Sequence, residues 1–263
     1  MMKLVLGLAL AIAICPVHGQ TLEFAQLTPS PYIQNNVNFS LASVALSLPK
    51  YTGSDERRVA AYPVFDAQWK NGAFFSAISG LGYNFSKNPQ FQYGLRMTME
   101  LGRDDARSSK LNGMGDIDTT VEPGVFFNYA ISQNYTLLSS IRYGSGIDHT
   151  GFQVSLGGRV SSMLNSKHRL TALFSTNWAN NSYQQSYFGV NAQQAVSSGY
   201  GQYAPSSGLI DVKVGANWHW NINTNWSLTT GTSVQHLMGD AANSPITFQK
   251  IPVTVYTAAS YRF

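Results

Sequence analysis

The sequence predicts an all-β fold, a transmembrane antiparallel β-barrel of about twelve strands with short periplasmic turns and longer extracellular loops. Three observations carry that prediction. From Ile210 to Ile222 the even positions read Ile, Val, Val, Ala, Trp, Trp, Ile, while the odd ones are Asp211, Lys213, Gly215, Asn217, His219 and Asn221. This period of two puts lipid on one face of a strand and a polar lumen on the other. The same alternation recurs along the chain, and the last segment repeats it in Ile251, Val253, Val255, Thr257, Ala259, Tyr261 and the final Phe263.

In chain order, residues 1–19 read as a secretory signal peptide. Lys3 precedes an apolar run from Leu4 to Ile14, and cleavage is expected after Gly19. That run is too short to cross a bilayer as a helix, and no later segment approaches the roughly 20 apolar residues a helical span needs. Residues 20–36, polar and rich in Pro and Asn, are expected to form a periplasmic N-terminal segment and the best candidate for a partner contact; the barrel is expected to occupy 37–263. Strands are predicted near 37–48, 59–70, 73–85, 91–103, 117–131, 134–143, 152–162, 169–178, 208–222, 225–236 and 251–263. In 91–103, Tyr93, Leu95, Met97 and Met99 oppose Gln92, Arg96, Thr98 and Glu100; in 117–131, Val125, Phe127 and Tyr129 oppose Glu122 and Asn128. Further on, Ile141 and Tyr143 oppose Arg142, and Phe174 and Trp178 oppose Ser175 and Asn177. Short turns contrast with long loops at 104–116, 179–207 and 237–250, which places the long loops outside.

Eleven segments is an odd count, whereas a bacterial single-chain barrel uses an even one. The missing strand falls before Gly102: either 21–34 adds one, or the Gly-rich 73–85 segment is two short strands. Twelve strands result, with ten as the alternative. The lumen-facing Asp66, Lys70, Arg96, Glu100, Glu122, Arg142, Arg159, Asp211 and Lys213 are expected to neutralise one another across a modest lumen, which argues against a wide open pore.

Composition narrows the function classes. Charged residues make up 11% of the chain and the net charge of +4 falls to +3 once Lys3 leaves with the signal. The basic residues are scattered, with no run of the kind that binds nucleic acid. The single cysteine, Cys15, lies inside the signal, so neither disulfides nor thiol catalysis are expected of the mature chain.

The loops carry clusters that strand periodicity does not explain: Pro49-Lys50-Tyr51-Thr52-Gly53-Ser54-Asp55, Gly102-Arg103-Asp104-Asp105, Leu111-Asn112-Gly113-Met114-Gly115-Asp116, Tyr187-Phe188-Gly189-Val190 and Gly239-Asp240-Ala241-Ala242-Asn243-Ser244-Pro245. Taken in this order, and with the closing Tyr261-Arg262-Phe263, they resemble the MipA/OmpV family over nearly the whole mature chain. The resemblance implies an outer-membrane barrel surrounded by lipid and lipopolysaccharide, whose last strand, with Tyr261 and Phe263, is read by the barrel-assembly machinery. It also implies a scaffold that brings a lytic transglycosylase together with a murein synthase, although other members are described as antigens, adhesion proteins or porin-like proteins. Fold alone does not choose among these roles.

Read from the residues, the clusters are mostly structural. Gly53, Gly113, Gly115 and Gly189 suit turns with positive φ, and Asp55, Asp104, Asp105 and Asp116 suit bonds to nearby backbone amides. The functional alternative for Asp104, Asp105, Asp116 and Asp118 is a divalent-cation site, although their spacing matches no EF-hand loop. No cofactor is expected. Asp148-His149, His236, Asp240 and Ser244 supply the residue types of a barrel hydrolase, but neighbours such as Asp148 and His149 point to opposite faces of a strand. The expected function is therefore a non-enzymatic scaffold, with a small-solute channel as the runner-up. Surface recognition by Tyr183, Tyr187, Phe188, Tyr200 and Tyr203 in the 179–207 loop is a third reading, and a lid over the barrel mouth is the favoured role for these residues.

Overall fold

The computed structural model describes residues 23–33 and 36–263. The expected signal segment, together with 20–22 and 34–35, lies outside the described residues. Twelve strands close into one antiparallel barrel: β1 (Val37–Pro49), β2 (Arg57–Trp69), β3 (Ala73–Ser76), β4 (Gly80–Asn84), β5 (Phe91–Glu100), β6 (Thr120–Ala130), β7 (Tyr135–Ser145), β8 (Gly151–Met163), β9 (His168–Ala179), β10 (Gly208–Asn221), β11 (Trp226–Leu237) and β12 (Val253–Arg262). Each strand pairs with its sequence neighbours, and β1 closes on β12 from Ser40 opposite Arg262 to Ser47 opposite Val255. Closure leaves no free sheet edge, which is what a lipid environment demands of a β structure.

The alternation sorts as expected. Leu95, Met97, Val125, Phe127, Ile141 and Val214 face outward and are exposed, whereas Arg96, Thr98, Glu122, Asn128, Arg142 and Lys213 face inward and are buried. Aromatic rings gather at the short-turn end of the wall. His168 stacks on Trp218 and Trp220 (5.4 and 5.9 Å), Phe91 stacks on Tyr129 (5.1 Å), and Phe263 packs between Phe39 and Tyr261 (5.2 and 4.9 Å). A ring of amphipathic aromatics at that level matches the headgroup boundary of a membrane.

The twelfth strand comes from the second option: residues 73–85 are two short strands. The Ser76 hydroxyl accepts the N–H groups of Ile78 (3.1 Å) and Ser79 (3.2 Å), a local turn that reverses the chain after four residues. Because β3 is so short, β2 pairs with it only from Asp66 to Gln68. Pro63, which has no N–H, sits in β2 beyond that stretch, where it interrupts no ladder to β3. A second departure occurs at Ile210, expected on the lipid face. A register shift between Leu209 and Asp211 turns it inward, where it is buried against Ala179, Phe188 and Leu237.

The N-terminal segment requires a correction. It was expected on the periplasmic side, yet residues 23–33 run inside the barrel, as an extended stretch followed by a single 3-10 turn at Ser30–Tyr32, and Glu23, Phe24, Ala25, Leu27 and Ile33 are all buried. The physical reason is that the lumen wall offers side-chain donors and acceptors to the segment's backbone, as described next.

Candidate functional site: a plugged lumen under an extracellular lid

Backbone groups of the segment are met one after another by wall side chains. Arg96 Nη2 donates to the Glu23 carbonyl (2.5 Å), Asn128 Nδ2 to the Ala25 carbonyl (2.9 Å) and Gln92 Nε2 to the Leu27 carbonyl (2.9 Å). In the other direction, the Gln26 N–H donates to Ser79 Oγ (3.1 Å) and the Thr28 N–H to Gln68 Oε1 (2.7 Å). An irregular segment can be buried only if its polar backbone groups find partners, and the lumen phase of β2, β5 and β6, together with Ser79 in the turn between β3 and β4, supplies them. Apolar side chains lock the fit. Ala25 and Leu27 join Phe74 and Phe126, and the Phe24 ring fills the space that a side chain at Gly157 would occupy, 2.8 Å from the position of a Cβ there.

At its deep end the Glu23 carboxylate pairs with Lys213 and accepts from Ser175 Oγ and Asn177 Nδ2, both at 3.1 Å. Lys213 lies 3.5 Å from Asp211, which accepts from Asn177 (2.6 Å) and Gln235 (2.6 Å). A second network stands beside it: Arg142 Nη1 meets Glu122 at 2.9 Å and Glu100 at 3.9 Å, while Gln153 bridges, accepting from Arg142 Nη2 (3.0 Å) and donating to Glu122 (3.1 Å). Five of the expected lumen charges, Glu100, Glu122, Arg142, Asp211 and Lys213, thus pair with one another, joined by Glu23, which strand patterning did not supply; Asp66 instead accepts from Gln68 (2.9 Å), Arg159 donates to Thr136 (3.3 Å), and Arg96 serves the Glu23 carbonyl and Ser140. Lys70 is different: it lies exposed in the turn after β2.

The loop clusters converge on the opposite end of the barrel, where they form a lid that includes the helices α1 (Asn181–Phe188), α2 (Ala192–Ser198) and α3 (Gly239–Asn243). Tyr51 is buried with Leu111, Met114, Val190 and Ile246, and its hydroxyl donates to the Ile246 carbonyl (3.1 Å). Gly53, at φ +95°, turns its carbonyl to the N–H groups of Phe248 (2.8 Å) and Gln249 (2.9 Å). Ser54 accepts the Glu56 N–H (3.1 Å), and Asp55 binds Lys110 (2.5 Å). Arg103 Nη1 donates to the Tyr187 carbonyl (3.0 Å), and Ser244, just before Pro245, donates to the Phe188 carbonyl (2.6 Å). Tyr183 and Tyr187 stack at 4.5 Å, and Tyr200 and Tyr203 donate to the carbonyls of Lys110 and Asp240, both at 2.9 Å. The motif residues therefore bind one another across four loops, and the tyrosines of 179–207 are engaged in the lid.

Gly113 shows how tight this assembly is. It has φ +81°, Ser197 Oγ donates to its carbonyl (2.6 Å), and a Cβ would fall 2.5 Å from the Ser197 carbonyl oxygen. Gly113→Ala is expected to cost about 1–3 kcal/mol of local stability. Amide exchange across α2 should accelerate on the order of tenfold or more while the strands are unaffected.

The acidic and catalytic-type residues serve this knitting. Asp104, Asp105 and Asp116 bring carboxylate oxygens within 4.8 Å of one another, and Asp118 is outside the group. Asp104 caps the Ala106 N–H (3.0 Å) and Asp116 accepts the Asp105 N–H (2.8 Å). Asp148 accepts from Ser182 and Thr150, which holds its carboxyl below the usual carboxylate range; the adjacent His149 has φ +56°. His236 faces outward on β11, and the Asp240 carboxylate accepts the Ser206 N–H (2.7 Å). These groups are held in separate contacts.

Between plug and lid remains a cavity of about 40 Å³, bounded by Tyr51, Glu100, Arg103, Arg142, Tyr183 and Tyr187 among others. Burial, helped by the nearby Glu100, pushes the Tyr183 and Tyr187 phenols well above their ordinary range. A water needs about 10–15 Å³ by this measure, so the space holds roughly three. Glu23, Gln92, Asn128, Gln153 and Asn177 were missed as site residues. One signal was present, since Glu23 is the sole charged residue of 20–36 and the others lie on the lumen phase of their strands.

A closed twelve-strand barrel with an apolar outer belt, a filled polar lumen and a loop lid defines a multi-pass outer-membrane protein. The chain belongs to the family of MltA-interacting protein MipA, whose model matches residues 41–263. No curated protein matches it. Among solved structures it is similar to the NanC porin, at 10% identity over 85% of this chain and 100% of that one, with a TM-score of 0.49. It is also similar to the KdgM porin (7% identity, 85% and 99% covered, TM-score 0.44) and to the outer membrane channel DcaP of Acinetobacter baumannii (7%, 87% and 96%, TM-score 0.42).

Proposed function

We propose that this protein is a non-enzymatic scaffold that works with its lumen shut, holding an MltA-type lytic transglycosylase, and through it a murein synthase, at the outer membrane. The observation that carries this reading is the double closure: a segment bonded into the lumen and a lid of interlocked loops leave about 40 Å³ between them. A conduit for solutes needs a continuous aqueous path. The family's name supplies the partner class.

With residues 23–33 inside the barrel, docking falls to the periplasmic turns. Three consecutive turns begin with an exposed apolar residue: Ile131 (55% exposed) after β6, Leu164 (58%) after β8 and Ile222 (41%) after β10. An exposed apolar residue at the start of each of these turns is the feature we assign to partner contact. The test is co-purification of a lytic transglycosylase from envelope extract. Wild type and a chain lacking 23–33 are expected to capture it, and the triple variant I131S/L164S/I222S is expected to fold but lose capture. Equal capture by the triple variant would place docking elsewhere, and no capture by wild type would remove the scaffold reading.

A further inference from the structure

Charge is divided along the barrel axis. Every acidic residue except Asp66 lies in the extracellular loops, in the loop-side half of the wall or, as Glu23, at the deep end of the plug. Asp66 is engaged on the plug side, where it accepts from Gln68, whose own oxygen takes the Thr28 N–H. The periplasmic end is cationic: Lys70, Lys87 and Lys167 stand in its turns, Arg159 and Arg169 in the periplasmic halves of β8 and β9, and Arg262 at the end of β12. Arg262 adjoins the terminal carboxylate carried by Phe263. Arg159 and Arg169 have no such neighbour: among the described residues, the one charged group acting on Arg159 is Arg169. Both are on the lumen phase, since Val160 and Leu170 beside them face outward and are exposed. Register sets Thr136 opposite Arg159, and Met163 and His219 opposite Arg169. The bonds they make go to neutral groups, from Arg159 Nη2 to Thr136 (3.3 Å) and from Arg169 Nε to the Met163 sulfur (3.1 Å).

The plug leaves this quarter of the mouth open. Phe24 covers Gly157, one lumen position above Arg159, and the segment then runs to its partners on β2, β5 and β6. Accordingly Arg159, Thr171, Asn217 and His219 are half-buried and Arg169 is exposed, whereas Gln68, Gln92 and Asn128 on the plug side are buried. Two guanidiniums held together without a carboxylate favour an anionic ligand, which gains charge-assisted bonds from both. Lipid phosphates lie on the other side of the wall, so the ligand comes from the periplasm. The turns that border this quarter are those that carry Ile131, Leu164 and Ile222. We propose that the periplasmic mouth receives an acidic segment of a partner protein, an extended stretch with two or more carboxylates for Arg159 and Arg169, flanked by apolar side chains for the three turns. The proposal rests on the scaffold reading for its partner and deepens it by naming the chemistry that the partner presents.

The test uses the full-length folded protein in zwitterionic detergent and, as probe, an octapeptide of alternating leucine and aspartate with a neutral dye, read by fluorescence anisotropy. Saturable binding that weakens as salt is added is expected in wild type. The same peptide with asparagine for aspartate should bind roughly tenfold more weakly or worse, and so should the double variant Arg159→Gln/Arg169→Gln with the acidic peptide, since both lose the charge-assisted bonds. Equal binding by wild type and the double variant, or no preference for aspartate over asparagine, would overturn the proposal. Displacement of the peptide by inorganic phosphate at matching concentration would also overturn it, by showing a site for a single small anion. Should the double variant fail to fold, a benzophenone-tagged peptide on wild type decides: crosslinks within 159–169 or 217–229 support the site, and crosslinks confined to other segments refute it. Peptide binding without capture of a transglycosylase would keep this site and remove the scaffold reading, whereas capture without peptide binding would do the reverse.

Discussion

Replacing Arg142 by methionine is expected to destabilise the folded barrel by about 3–5 kcal/mol, the usual consequence of stranding a buried charge. Glu122 is fully buried, and Arg142 Nη1, at 2.9 Å, is its cationic partner. Without the guanidinium, Glu122 keeps only neutral donors, Gln153 at 3.1 Å and Thr98 at 3.5 Å, and Gln153 loses the Arg142 bond that orients it. Glu100, 3.9 Å from the same nitrogen, loses its nearest counter-charge as well. The double variant Arg142→Met/Glu122→Met should recover most of the loss, because a buried pair replaced on both sides by apolar groups of similar size is often close to neutral. Urea unfolding followed by heat-modifiable gel migration reads both. A double variant as unstable as the single would show that the network matters for shape rather than charge.

Deleting residues 23–33 is expected to leave a barrel that assembles, since all twelve strand pairings are made without the segment, but whose lumen floods from the periplasmic side up to the lid. A cysteine placed at Asn128 or Gln92, which in the intact protein bond the Ala25 and Leu27 carbonyls, should react with a membrane-impermeant maleimide on the order of 100-fold faster or more once the segment is gone. Conductance should not follow from this deletion alone, because Tyr51, Arg103, Ser244 and their partners still tie the lid together. It should appear when 181–206 is also replaced by a short Gly/Ser linker. If the deletion alone conducts, the lid is not a seal; if cysteine reactivity is unchanged, the segment does not occupy the lumen in the membrane.

The wall of this protein was legible because lipid on one side and polar groups on the other force a period of two over most long strands; the second half of β1 reverses it, with Ser43 and Ala45 exposed and Leu46 and Leu48 buried. Where the wall departs from regularity, local chemistry decides: Ser76 turns the chain and splits 73–85, and the bulge at Leu209 and Asp211 sends Ile210 inward. The count of twelve followed from parity, and the choice between the two ways of reaching it needed the structure. The filling of the lumen was half legible. Lumen charges predict mutual neutralisation, but Gln92, Asn128 and Asn177 on the lumen phase look the same whether they bind water, one another or a peptide backbone. The segment 23–33 has no periodicity of its own to betray its place, because its conformation is set by the wall rather than by its residues. For the lid, the motifs stood out as clusters, but that Tyr51 reaches Ile246 across 195 positions, or that Ser244 closes on Phe188, is a tertiary fact.

The claim on which the rest depends is that plug and lid together shut the barrel. Planar-bilayer conductance of the full-length protein, with heat-modifiable migration establishing that it is folded, tests this most directly. A silent membrane across a range of voltages is expected. Discrete, reproducible steps from the intact folded chain would contradict it and make this protein a channel.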